Sequence, residues 1–110
     1  FYVGAPIDTT QGGSYVTRVV ANSYVATTND GTKYWTVQVY STDWNDGTAT
    51  NVGSSFTTAA DTVDRRHLHS YTVNAAPAGT QTNLWVSATK TSTAGTLIMT
   101  VVIYYRLIVT

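Results

Sequence analysis

The chain has 110 residues, no cysteine, and six basic residues balanced by six acidic ones. This length fits a single domain with its own hydrophobic core. The absence of cysteine excludes disulfide bonds, thiolate metal sites and cysteine nucleophiles. A net charge of zero argues against nucleic acid or an anionic membrane as a partner, because both are bound chiefly through basic side chains.

Residues that favour strands dominate the composition. Thr and Val are the two most frequent residues, and there are eight Tyr and three Trp. Such side chains fit the pleated surface of a sheet and lose rotamer freedom in a helix. We therefore predict an all-β fold, an antiparallel β-sandwich of jelly-roll-like type. Only 11% of the residues are charged, so few side chains are available for catalysis and we expect no enzyme activity.

The first part of the chain divides into an arm and a strand. Residues 1–14 contain Gly, Pro and polar residues and are interpreted as an N-terminal arm, which leaves 15–110 as one β-sandwich domain. Residues 15–28 alternate in polarity and predict a strand, with Val19 on one face and Val16 on the other. The segment 29–32, Asn-Asp-Gly-Thr, predicts a hairpin turn, because Asp and Gly tolerate positive φ.

Further strands follow at a spacing of roughly ten residues, which is typical of sandwiches and barrels. In the segment 33–42 the alternation places Trp35, Val37 and Val39 in the core. Val52 and Phe56 are the expected anchors of a weaker region at 48–58. The remaining strands are predicted at 63–73, 83–91 and 96–110, for a total of seven or eight.

The last strand is apolar on both faces, whereas a strand with one solvent-exposed face normally carries polar residues there. The second apolar face consists of Ile98, Val102, Tyr104 and Ile108. Two explanations stay open. The N-terminal arm covers this face, or it is an interface between subunits, as in many homo-oligomers.

The segments 18–41 and 82–108 have the same predicted order of elements, which is a strand, a polar turn and a strand with aromatic residues. In this pattern residues 15–108 resemble the jelly-roll or sandwich modules of bacteriophage virion proteins, such as tail fibres, spikes and capsid decorations. The resemblance implies a structural or host-attachment protein, located in the virion or outside the cell. Its implied partners are copies of itself in a homotrimer, other virion proteins and a host surface glycan.

One pair of residues has the spacing of metal ligands. His67 and His69 lie two residues apart, so on a strand both imidazoles point to the same side. A metal would need further ligands, and Asp61 and Asp64 are the nearest carboxylates. The pair is the candidate metal site of the sequence, but we expect no cofactor and no metal. Calcium at the turn residues Asp30 and Asp46 is another candidate.

The aromatic residues raise a second function, that of a carbohydrate-binding module. Trp44 lies in a predicted turn beside Asp43 and Asn45, and Trp85 lies on the polar side of its strand. Sugar rings stack on flat aromatic faces while polar neighbours bind the hydroxyl groups. These four residues are therefore the candidate glycan site.

Two other kinds of chemistry have little support. A small hydrolase would need two placed carboxylates or a Ser-His-Asp arrangement, and no motif indicates either. Arg65 and Arg66, next to the two histidines, could form a cationic patch for phosphate or an acidic sugar. No apolar segment is long enough to span a bilayer, so we expect no membrane insertion.

Overall fold

A computed structural model describes residues 14–43, 49–75 and 81–107. The predicted all-β class is confirmed, with seven strands and no helix in these residues. The strands are β1 Ser14–Val25, β2 Tyr34–Asp43, β3 Ala49–Asn51, β4 Phe56–Thr57, β5 Arg66–Ala75, β6 Gln81–Thr91 and β7 Leu97–Leu107. The predicted arm falls almost entirely outside the described residues.

The strands form two antiparallel sheets. The three-stranded sheet has the order β5-β1-β7, so β1 is central and β7 lies at an edge. In the four-stranded sheet β2 is central, with β6 on one side and the short strands β3 and β4 on the other. Strands that are consecutive in sequence therefore often lie in different sheets.

The core lies between the two sheets. Its fully buried residues are mainly valines, and the partly buried side chains of Leu97, Met99, Val101 and Ile103 of β7 pack against them. The buried cluster consists of Val16, Val19, Val37, Val39, Val52, Leu84 and Val86. The core positions predicted for β2 are confirmed at Val37 and Val39, and Val52 and Phe56 anchor their region as predicted.

A β-bulge in β1 changes the predicted facing of its first residues. The pairing of β1 with both neighbours shifts register between Val16 and Arg18. Because the bulge adds one residue, Val16 lies on the same buried side as Val19, and its predicted placement on the opposite face is wrong. The hydroxyl of Thr17 at the bulge donates to the Tyr104 carbonyl at 3.1 Å.

The turn at residues 29–33 is tight, but it does not join a hairpin. Asp30 and Lys33 form one isolated antiparallel bridge, while β1 and β2 on either side belong to different sheets. Asp30 Oδ1 accepts bonds from the Thr32 N–H, the Thr32 hydroxyl and the Lys33 N–H. The backbone N–H of Thr32 is the main reason that the pKa of Asp30 is lowered.

Gly95 is required by a close approach of two chain segments. A Cβ at this position would lie 1.6 Å from the carbonyl oxygen of Ala26. The Gly95 N–H donates to the Thr28 carbonyl at 2.7 Å, and its own carbonyl accepts from Trp35 Nε1 at 2.8 Å. Trp35 is thus fixed at one end of the sandwich, half-buried, with Lys90 Nζ 5.2 Å from its ring centroid.

Candidate functional site

The outer side of the three-stranded sheet exposes large apolar side chains, and we call it the apolar face. Its exposed members are Leu68, Ile98, Val102 and Tyr104, with exposed fractions of 67%, 60%, 45% and 52%. Three of these are predicted interface residues, and the fourth predicted residue, Ile108, lies outside the described residues. Leu68 was missed, although its place between His67 and His69 predicts that it points to the side opposite the two histidines.

The strand register brings these side chains together. Residues directly opposite each other on antiparallel strands project to the same side of a sheet. In this way Val20 of β1 lies opposite Val102, and Tyr24 lies opposite Ile98. On the other flank Asn22 lies opposite Leu68. The apolar face therefore crosses all three strands.

Polar contacts frame the apolar face. Arg18 Nη2 donates to Ser70 Oγ at 2.7 Å, and both side chains are exposed on this side of the sheet. The Tyr24 hydroxyl donates to Asp64 Oδ1 at 3.0 Å, and this hydrogen bond raises the pKa of Tyr24. An open depression of about 500 Å³ lies beside it, lined by Tyr24, Asp64, Arg66 and Ile98.

The backbone of β7 is paired on one side only within the described residues. The Ala26 N–H donates to the Thr96 carbonyl, which makes these two residues a hydrogen-bonded pair. Because such pairs alternate along an antiparallel ladder, Ile98, Thr100 and Val102 also direct their N–H and C=O groups to β1. The corresponding groups of Met99 and Val101 point to the open edge.

The outer side of the four-stranded sheet has a different character, and we call it the aromatic face. Tyr40 and Trp85 lie directly opposite each other on β2 and β6, with ring centroids 6.4 Å apart and planes 14° apart. Trp85 Nε1 donates to Thr42 Oγ1 at 2.8 Å. Trp85 thus lies on the outer side, as its strand position predicts, and it is half-buried.

The predicted glycan site is only partly placed by the structure. Trp44 and Asn45 lie outside the described residues, and Asp43 is the last residue of β2. Tyr40, the aromatic neighbour of Trp85, was missed as a candidate. Tyr40 is recognised as a neighbour of Trp85 only from the register between β2 and β6, which the sequence alone does not reveal.

His67 and His69 both point toward Asp61. His69 Nε2 lies 2.7 Å from Asp61 Oδ2, and His67 Nδ1 lies 3.8 Å from Asp61 Oδ1. The Thr62 N–H donates to His67 Nε2 at 2.8 Å, and the ring of Phe56 stacks on His69 at 4.3 Å. Within the described ranges no group of three or more His, Cys, Asp or Glu is arranged to hold a metal ion.

The same cluster differs from a hydrolase triad in its connections. The Ser23 hydroxyl donates to Asp61 Oδ2 at 3.3 Å rather than to an imidazole, and Ser23 is buried. A serine nucleophile must be hydrogen-bonded to the histidine that takes its proton. Arg66 lines the depression on the outer side of the sheet, away from the two histidines, so the predicted cationic patch is divided between two sides of β5.

No family model, curated protein or solved structure gives a significant match to the chain. Among the described residues there is no helix that is long and apolar enough to cross a membrane.

Proposed function

We propose that the chain is a non-enzymatic structural module of a phage-type virion that assembles as a homo-oligomer through its apolar face. The observation that carries the proposal is the exposure of Leu68, Ile98, Val102 and Tyr104 on one side of the sheet. Burying a side chain of this size is worth roughly 1.5–3 kcal/mol relative to leaving it in water. Adjacent exposed side chains of this kind mark an interaction surface.

The edge of β7 that is unpaired within the described part of the chain supports the same surface. This edge strand has eleven residues, and from Leu97 to Tyr105 it contains no charge and no proline. Soluble proteins usually protect such an edge with charges, proline or a covering segment. A subunit packed against the apolar face near β7 would also cover the edge.

The depression beside Ile98 gives the face a feature that a second subunit could fill. It combines the apolar side chain of Ile98 with the hydrogen-bonded pair Tyr24 and Asp64 and the cation Arg66. A side chain inserted there gains apolar contact and meets hydrogen-bonding groups of both signs. Buried anchors of this type contribute most of the energy of protein interfaces.

The virion class and the three-fold arrangement rest on the resemblance of residues 15–108 to phage sandwich modules. A surface with few charges and many hydroxyl groups accords with that class. Other virion proteins would then be further partners, and the protein would be found in the virion or outside the cell.

Sedimentation velocity and light scattering of the purified chain test the proposal. We expect the mass of three subunits for the natural chain and of one for Val102→Glu, because a carboxylate in the interface would be desolvated. The matched control is Thr89→Glu, an exposed strand position in the four-stranded sheet, which should keep the mass of three subunits.

Circular dichroism confirms that each variant is folded before its mass is compared. A natural chain that stays monomeric at high concentration contradicts the assembly proposal. A mass of two subunits would contradict the three-fold arrangement but would still agree with assembly as a homo-oligomer. If Thr89→Glu lost assembly while Val102→Glu kept it, the interface would lie on the four-stranded sheet, which contradicts the proposal.

A further inference from the structure

The aromatic face carries polar side chains without charge around the rings of Tyr40 and Trp85. Its outward positions alternate with the buried Val37 and Val39 of β2 and the buried Leu84 and Val86 of β6. They include Tyr34, Thr36, Gln38, Tyr40 and Thr42 on β2, Trp85, Ser87, Thr89 and Thr91 on β6, and Asn51 opposite Tyr40 on β3. Hydroxyl and amide groups can both donate and accept hydrogen bonds.

We propose that the aromatic face binds a neutral carbohydrate chain, with Tyr40 and Trp85 as its stacking platform. This site is separate from the apolar face and does not depend on assembly.

The ring geometry is the first support. The two planes differ by only 14°, and the centroids are 6.4 Å apart, so the rings are strongly offset rather than stacked ring on ring. The hydrogen bond from Trp85 Nε1 to Thr42 Oγ1 fixes the orientation of the indole. The face of an aromatic ring is negatively polarised and attracts the weakly positive C–H groups of a sugar ring. A platform fixed in advance loses little side-chain entropy on binding.

The charge of the face indicates which sugars fit. Acidic glycans and phosphates are normally bound by Arg or Lys, and the outward positions of the aromatic face carry neither. Neutral hydroxyl groups, by contrast, match Gln38, Ser87 and Asn51 beside the rings. Asn51 is exposed, and Gln38 and Ser87 are half-exposed. The ligand is therefore an uncharged oligosaccharide.

The contrast between the two outer faces separates binding from assembly. The apolar face presents Leu68 and Ile98 to solvent, whereas the aromatic face presents hydroxyl and amide groups around its rings. A subunit interface on the apolar face leaves the aromatic face in water, where a glycan can reach it. Assembly would then place several identical sugar sites on one particle and raise the apparent affinity.

Isothermal titration and affinity electrophoresis test the proposal with cellohexaose, mannohexaose and maltohexaose, and with a galacturonic acid hexamer as the acidic probe. We expect at least one neutral hexamer to bind, and Trp85→Ala to weaken that binding at least tenfold. Trp85→Phe, which keeps a ring but loses the bond to Thr42, should weaken it less. Thr62→Ala, an exposed side chain in the loop before β5 that belongs to neither face, is the control and should bind unchanged.

A second variant protects the test if Trp85→Ala does not fold. Ser87→Val leaves both rings in place and removes the hydroxyl group beside them, which should also weaken binding of the neutral hexamer. Failure of all three neutral hexamers to bind overturns the proposal, as does equal binding by folded Trp85→Ala or a preference for the acidic probe. Because Tyr104 and Val102 lie on the apolar face, loss of assembly and loss of sugar binding are separately measurable.

Discussion

Asp61 connects the loop before β5 to two strands. Its side chain is 11% exposed and accepts hydrogen bonds from Ser23 of β1 and His69 of β5. The backbone of the same loop is held by Asn29, whose amide donates to the carbonyls of Thr58 and Asp61. A largely buried donor that loses its acceptor is left without a hydrogen bond, so the Asp61 carboxylate should contribute to stability through Ser23 and His69.

We predict that Asp61→Ala lowers the free energy of unfolding by about 1–3 kcal/mol, because it leaves the donors on Ser23 and His69 without their acceptor. Urea denaturation followed by tryptophan fluorescence measures the change. Thr62→Ala is the matched control, since its side chain is exposed and its backbone N–H to His67 is kept. A loss in Asp61→Ala no larger than in the control would show that the cluster contributes little.

The sequence predicted part of this cluster. Two histidines spaced two apart on a strand must share a side, and Asp61 and Asp64 were the nearest carboxylates in the sequence. What it could not reveal was the role of these groups, because that depends on where the loop at 58–64 folds back onto β1 and β5. In the structure the Asp61 carboxylate accepts hydrogen bonds from Ser23 and His69.

At the scale of strands, the alternation of apolar residues was sufficient to locate most elements, but not their partners. The segment 33–42 was placed correctly as β2 with Val37 and Val39 inward. The turn at 29–32 was also recognised, yet its flanking strands belong to different sheets. The residues that favour a tight turn are the same whether or not the two flanking strands pair with each other. The bulge at Thr17 was equally invisible, because one inserted residue leaves the apolar pattern almost unchanged.

Among the described residues β7 pairs only with β1, and this pairing predicts an alternating pattern of amide exchange. The amides of Ile98, Thr100 and Val102 point to β1 and should exchange slowly, whereas those of Met99 and Val101 point to the open edge and should exchange quickly in the monomer. Hydrogen–deuterium exchange followed by NMR on the folded monomeric variant Val102→Glu gives the rates. Equal protection of Thr100 and Val101 in that variant would contradict the register between β1 and β7.

The same measurement on the natural chain examines the edge in the assembly. If a neighbouring subunit covers β7, the amides of Met99 and Val101 should become protected there. Exchange that stays fast in the assembled protein would place the interface on the apolar face alone, away from the strand edge.

The whole molecule has two outer surfaces of opposite character on one core. A sandwich needs apolar residues only on the inner sides of its sheets, and the four-stranded sheet follows this rule with Tyr40, Trp85 and polar neighbours outside. The three-stranded sheet departs from it at Leu68, Ile98, Val102 and Tyr104. Apolar side chains that stay exposed would lower the solubility of an isolated subunit. We therefore infer that these side chains form a surface used for assembly.

Assembly through the apolar face should make thermal stability depend on concentration. A species that forms only from folded subunits stabilises the fold by mass action, so its melting temperature rises with protein concentration. We expect such a rise for the natural chain over a hundredfold range of concentration in scanning calorimetry. The monomeric variant Val102→Glu should melt at one temperature throughout, and Thr89→Glu should behave like the natural chain. A melting temperature independent of concentration in all three would mean that Leu68, Ile98 and Val102 gain no cover from a second subunit, whatever mass is measured at equilibrium.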